Sequence, residues 1–204
     1  MLTKTIFVEQ LDRDYWNKRW NRDETNWDLG SVSPSLKMFI DQIKNKDCRI
    51  LIPGCGNGYE AGYLLNHGFT NITMVDIASV PVENVKALYA TYLGNELTVL
   101  QQDFFTLEGQ YDLIIEQTFF CALPRSKRPA YVQQMKKLLQ PSGELAGLLF
   151  NIEFDKEGPP FGGSAAEYRA LFSPDFTILQ MAVTLYSAAP RAGTELFFHL
   201  REKN

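Results

Sequence analysis

Arg49-Ile50-Leu51-Ile52-Pro53-Gly54-Cys55-Gly56-Asn57-Gly58 is the stretch on which the fold turns. Its apolar run, residues 50–52, has the length and branching of a buried parallel strand. Pro53 ends the run, and three alternating glycines follow. Tyr59, Ala61, Gly62, Leu64 and Leu65 then take up a helical spacing. A strand, a glycine turn and a helix in this order form a nucleotide-type binding turn, because glycine lets backbone approach a ligand where a Cβ would collide. The competing reading is a tight turn with no ligand.

Working outward, Ile72-Thr73-Met74-Val75 is the next strand, and Asp76 stands at its carboxyl end, 20 positions after Gly56. A carboxylate at that place accepts from the ribose hydroxyls of an adenosine. The glycine spacing selects the ligand. A dinucleotide fingerprint requires Gly-x-Gly-x-x-Gly, and its third glycine falls on Tyr59 here. No Gly-Lys-Ser/Thr is present, and no basic cluster waits for a pyrophosphate. An adenosyl ligand without phosphates fits better, and S-adenosylmethionine is the common one.

Composition narrows the class. The 204 residues are 45% hydrophobic, which suits one domain, 1–204, with a sizeable core. A net charge of −4 offers no basic face for nucleic acid. Cys48, Cys55 and Cys121 have no metal-ligand spacing and leave one thiol over, which points to a reducing, cytoplasmic setting. No apolar run is long enough for a membrane span, so no membrane partner is expected. Oligomeric state is open, with a monomer compatible.

Residues 1–30 crowd Tyr15, Trp16, Trp20 and Trp27 together, and Trp16 and Trp20 share a helix face. They read either as a core-capping helix or as a lid over a ligand. Ser33 and Pro34 open the next helix as cap and first residue. A helix follows over 81–92 and a third strand over 97–100. Asp103-Phe104 ends that strand; the pair either brackets an adenine or is a loop acid beside a core phenylalanine. The fourth strand is 111–115. Glu116-Gln117-Thr118-Phe119-Phe120-Cys121-Ala122 leaves its carboxyl end, where open α/β sheets hold ligands. A helix over 126–139, stopped by Pro141-Ser142-Gly143, precedes a fifth strand over 145–150. A loop, 158–163, and a helix, 165–172, lead to strands 176–186 and 194–201, paired as a hairpin. The whole predicts a Rossmann-like doubly wound α/β sheet, mostly parallel, with one antiparallel edge strand and helices on both faces.

Several of these stretches together resemble the thiopurine S-methyltransferase family of class I methyltransferases, and within it the thiol and halide branch. They are Trp27-Asp28-Leu29-Gly30, Pro53-Gly54-Cys55-Gly56, Val75-Asp76-Ile77, Asp103-Phe104-Phe105-Thr106, Thr118-Phe119-Phe120-Cys121-Ala122, Gly143-Glu144-Leu145, Gly158-Pro159-Pro160 and Pro190-Arg191. The resemblance implies cofactor contacts at Trp16, Trp20, Trp27, Gly54, Gly56, Asp76, Ile77, Asp103, Phe104 and Gln117. Gln117 stands where the thiol and halide branch has Tyr. It implies an S-adenosylmethionine-dependent enzyme, with S-adenosylhomocysteine as product and a small-molecule acceptor.

Methyl transfer from a sulfonium needs no nucleophile from the protein, only positioning and desolvation of the acceptor. No catalytic side chain is therefore expected. Phe119, Phe120, Cys121, Pro160 and Phe161 are the expected pocket walls, and Arg191 the expected attractor of an anionic acceptor. His67, before a helix-ending Gly68, and His199, inside the last strand, are poorly placed as bases. Two rival classes remain: a non-catalytic adenosine-ligand sensor on the same fold, and an NAD-dependent oxidoreductase, against which the Tyr59 spacing argues.

Overall fold

The computed structural model describes residues 10–156 and 158–203. Residues 1–9 of the expected lid lie outside them. Seven strands form one sheet in the order β3-β2-β1-β4-β5-β7-β6. They are β1 (Ile50–Pro53), β2 (Ile72–Asp76), β3 (Leu97–Gln101), β4 (Tyr111–Gln117), β5 (Leu139–Phe150), β6 (Phe176–Val183) and β7 (Glu195–Glu202). β1 to β5 run parallel. β7 runs antiparallel to both β5 and β6, so it is the one reversed strand of the edge pair, and β6, outermost, points the same way as β1 to β5.

The central strands hide both faces. Ile50, Ile52, Met74 and Ile115 face a layer made by α2 (Pro34–Ile40), α3 (Tyr59–Asn66) and α4 (Ser79–Leu88). Leu51, Ile114, Leu145 and Phe198 face α5 (Arg128–Leu138) and α6 (Ala165–Phe172). Burial on both faces explains why these strands read as continuous apolar runs. The remaining helix, α1 (Arg13–Asn21), is capped by Asp12, whose carboxylate accepts from the Tyr15 amide at 2.9 Å. α1 is pinned to the start of α4, where the Asn17 amide oxygen accepts from the Ser79 N–H at 2.9 Å.

Three local expectations change. Ser33 occupies the cap position of α2, but its buried hydroxyl bonds to nothing among the described residues. Pro141-Ser142-Gly143 does not separate helix from strand. β5 begins at Leu139, and these residues form an irregularity within it, where pairing with β4 jumps from Tyr111↔Leu139 to Leu113↔Glu144. β6 stops at Val183 because the chain then turns over α2. There the Ser35 and Thr184 hydroxyls meet at 2.7 Å, and Ser35 also donates to the Tyr186 carbonyl at 3.0 Å.

Candidate active site

β1 is flanked by β2 on one side and β4 on the other, so its carboxyl end is the switch point of the sheet. The glycine turn sits there. Gly54, Gly56 and Gly58 all adopt left-handed backbone, with φ of 59°, 50° and 68°. At Gly54 a second reason applies. A Cβ would lie 2.9 Å from Phe119 Cγ and 3.1 Å from its Cβ, and nearer still to the ring edge. The absent side chain at Gly54 is thus the seat of Phe119, which ties the β4 exit to the glycine turn.

Asp76 closes the turn from β2. One carboxylate oxygen accepts from the Gly56 N–H at 3.1 Å and the other from the Ala78 N–H at 2.9 Å. Burial raises its pKa, while these amides act the other way. Ile77 follows it, half-buried. Trp20 lies over Gly56, its ring 3.7 Å from where a Cβ would be. Trp16 and Trp20 both pack edge-to-face on Trp27, with centroids 5.6 and 5.8 Å apart. The tryptophan segment therefore stands against the glycine turn as a single aromatic unit.

Asp103 is exposed and caps a 3₁₀ turn, Phe104–Thr106, through the Phe105 amide at 2.9 Å. The Phe104 ring, expected against an adenine, is in the core. It is 4% exposed and packs on Phe119 and Tyr131, with centroids 5.0 and 5.8 Å apart. The half-buried Gln117 ends β4. Thr118 then takes a left-handed φ of 62°, uncommon for a β-branched residue and a mark of strain at functional turns. This strained step launches the 3₁₀ turn Phe120–Ala122.

The expected acceptor walls come together around that turn. Phe120 is fully buried against Tyr131 and Tyr168. The Cys121 carbonyl accepts from the Phe161 N–H at 2.7 Å, bringing the 158–163 loop to the turn. The Cys121 thiol donates to the Thr118 carbonyl at 3.2 Å, and burial holds its pKa far above the ordinary thiol range. It is no nucleophile.

Arg191 does not stand free. It is 7% exposed, bonds Glu195 at 3.3 Å, donates to the Trp27 carbonyl at 2.5 Å and covers the Phe150 ring. Its charge is spent on Glu195, and its reach is toward the tryptophan segment. The histidines keep away from the site. His67 meets the Tyr63 carbonyl at the end of α3, and His199 bonds Glu144 midway along β5.

Sequence reasoning passed over five polar residues. Asp28 accepts from the Asn57 amide at 2.6 Å and the Tyr59 hydroxyl at 3.1 Å, fastening the tryptophan segment to α3. Arg128, 3% exposed, pairs with Glu167, donates to the Gly162 carbonyl at 2.8 Å and covers the Phe120 ring. It holds the 158–163 loop against the turn. Glu60 and Glu116 are buried carboxyls whose pKa values burial pushes up to about 7 and about 8. The buried Tyr131 hydroxyl has no partner among the described residues. Only Glu116, an acid inside an apolar strand, carried a local sign.

A left-handed glycine cradle, a carboxylate at the end of β2 and a cover of tryptophans fit an adenosyl sulfonium. The comparisons agree. The thiopurine S-methyltransferase family model matches residues 11–195. A probable thiol methyltransferase 2 of Arabidopsis thaliana is 34% identical over 88% of this chain and 81% of its own length. A thiocyanate methyltransferase 1 of Brassica oleracea is 29% identical over 92% of this chain and 84% of its own. The Burkholderia thailandensis 1,6-didemethyltoxoflavin-N1-methyltransferase, solved with S-adenosylhomocysteine, superposes with a TM-score of 0.76 at 18% identity, covering 94% and 87% of the two chains, a likeness of fold. With a family model spanning nearly its whole length and a relative above 30% identity, this chain belongs to the thiopurine S-methyltransferase family.

Proposed function

We propose that the protein methylates a small, soft nucleophile, a thiol or hydrosulfide ahead of a halide, at the Phe119–Ala122 turn. Family membership makes it an S-adenosylmethionine-dependent methyltransferase. The observation that carries the acceptor reading is the contact of Phe119 with Gly54, which joins an aromatic wall directly to the glycine turn.

The glycine turn, Asp76 and the tryptophan segment would hold the cofactor, with Ile77, Asp103 and Gln117 at the adjoining strand ends. When bound, the cofactor supplies an electrophilic methyl group on a positively charged sulfur. The chain's own residues bind, orient and exclude water. Phe119 and Phe161 would present apolar surface, with Phe120 buried behind them, and this strips hydration from an entering anion and suits polarizable sulfur. No side chain is needed to take a proton if the acceptor arrives ionised. Glu60 and Glu116 have pKa values fit for a base, but both are buried, at 8% and 0% exposure. The names of the thiol and thiocyanate relatives support a soft acceptor. Three buried free cysteines suit a reducing cytoplasm, and among the described residues no helix is long and apolar enough to cross a membrane.

The test is a methyl-donor assay with S-adenosylhomocysteine as readout, against sodium hydrosulfide, small thiols, halides, thiopurines, and oxygen and nitrogen acceptors. Thiols or hydrosulfide should lead, with thiol turnover rising toward the acceptor's own pKa, ~8.5 for a cysteine-like group. Turnover confined to oxygen or nitrogen acceptors refutes the reading.

A further inference from the structure

Tyr111-Asp112-Leu113-Ile114-Ile115-Glu116-Gln117 carries an acid where the pattern of a central strand asks for an aliphatic residue. Glu116 is completely buried. Its side chain lies on the α5 face, crossing Gly147 of β5, where a Cβ would come within 3.0 Å of Glu116 Cγ. One carboxyl oxygen accepts from the Phe120 N–H at 2.6 Å. The other oxygen is buried without a partner among the described residues.

A buried carboxyl costs free energy that an aliphatic residue would not, and replacing buried ionisable groups by apolar ones is often stabilising. Packing alone therefore gives no reason for an acid here. Function does. Glu116 lies two residues before the left-handed Thr118, and its donor is the first amide of the Phe120–Ala122 turn beside the expected acceptor wall. The turn in turn sets Phe119 against Gly54 and Phe104, and through the Cys121 carbonyl it receives Phe161.

We infer that Glu116 is a positioning residue for methyl transfer: its carboxyl holds the Phe119–Ala122 turn by the Phe120 backbone amide and so fixes both acceptor walls against the glycine turn. This rests on the reading of that turn as the acceptor site. Glu116 touches neither acceptor nor cofactor; it acts through the turn. Near neutral pH it is largely protonated, so what it offers the amide is a carbonyl-like oxygen.

Glutamine keeps an oxygen able to accept from the Phe120 amide, whereas leucine does not. Glu116→Gln should keep kcat/KM for sodium hydrosulfide within about threefold of wild type, and Glu116→Leu should raise the hydrosulfide KM by about tenfold or more, as expected for a buried amide left unsatisfied. In both variants S-adenosylhomocysteine affinity by calorimetry should stay near wild type. Amide hydrogen exchange at Phe120 should be slow in wild type and in Glu116→Gln, and fast in Glu116→Leu. Equal losses in the two variants, no loss in Glu116→Leu, or cofactor affinity falling in step with kcat/KM would overturn the inference. Should Glu116→Leu not fold, wild-type exchange decides: fast exchange at Phe120, beside protected β4 amides, overturns it. Wild type that turns over no soft nucleophile at all refutes the acceptor reading instead, and the exchange data still judge Glu116.

Discussion

Replacing Gly54 by alanine tests the join between the two halves of the site, and the structure sets the expected size. Two penalties act at once. Gly54 has a φ of 59°, and left-handed backbone costs a residue with a Cβ roughly 1–2 kcal/mol. The new Cβ would also stand within 3.1 Å of three Phe119 side-chain atoms, so that ring must move. Moving it strains a rotamer and disturbs the edge-to-face contact with Phe104, each worth roughly 0.5–1.5 kcal/mol. The sum is about 2–5 kcal/mol. Gly56→Ala is the control. Its φ is 50°, but its new Cβ would meet only Trp20, at an ordinary 3.7 Å, so it bears the backbone penalty of about 1–2 kcal/mol alone. At ~2–4 °C per kcal/mol for a chain of this size, Gly54→Ala should lower Tm by roughly 4–20 °C and Gly56→Ala by roughly 2–8 °C. Paired measurement of the two variants in one buffer removes common error. Gly54→Ala should also raise the acceptor KM if Phe119 is, as proposed, a wall of the acceptor pocket. Equal Tm losses in the two variants, with the acceptor KM unchanged in Gly54→Ala, would refute the seat of Phe119 at Gly54 as the link between the cofactor turn and the acceptor pocket.

Asp76→Ala should weaken S-adenosylhomocysteine binding well over tenfold by calorimetry, because losing a partner of a buried charged hydrogen bond costs about 2–5 kcal/mol; unchanged affinity in a folded variant would remove Asp76 from the site. Arg191→Met should destabilise by about 3–5 kcal/mol by stranding the buried Glu195, and Arg191→Met with Glu195→Leu should recover most of that loss. Both should leave residues 10–30 more open to protease, since the Trp27 carbonyl loses its donor; undiminished protection in both would show that Arg191 does not hold the tryptophan segment. The buried Glu60 and Glu116 bind protons in the folded state that the unfolded chain has already released. Their contribution to stability is complete below the unfolded carboxyl pKa of 4.5 and is lost as pH rises through about 7 and about 8. Thermal unfolding should show that Glu116→Gln flattens this decline by up to about 1.4 kcal/mol per pH unit; parallel wild-type and variant curves would contradict it.

Much of the architecture was legible in the sequence because it depends on neighbours along the chain. The apolar run before Gly54 made β1, the alternating glycines made the left-handed turn, and the spacing to Asp76 placed a carboxylate at the end of β2. α6 followed from local pattern with its limits as expected, Ala165–Phe172. Pattern failed at Pro141-Ser142-Gly143, which lie inside β5 because the pairing with β4 takes up again on both sides of them, at Leu139 and Glu144. The partners of the polar residues were a different matter. Arg191 and Trp27 lie 164 positions apart, and only the placement of β7 within the sheet brings them together and turns an apparent anion receptor into a fastening for the tryptophan segment. Phe104 likewise read as a ligand contact, and packing against Phe119 and against Tyr131 of α5 put it in the core. Glu116 showed its residue type in the sequence but not its burial. A carboxyl's free energy depends on the solvent and donors around it, and those are supplied by elements distant along the chain.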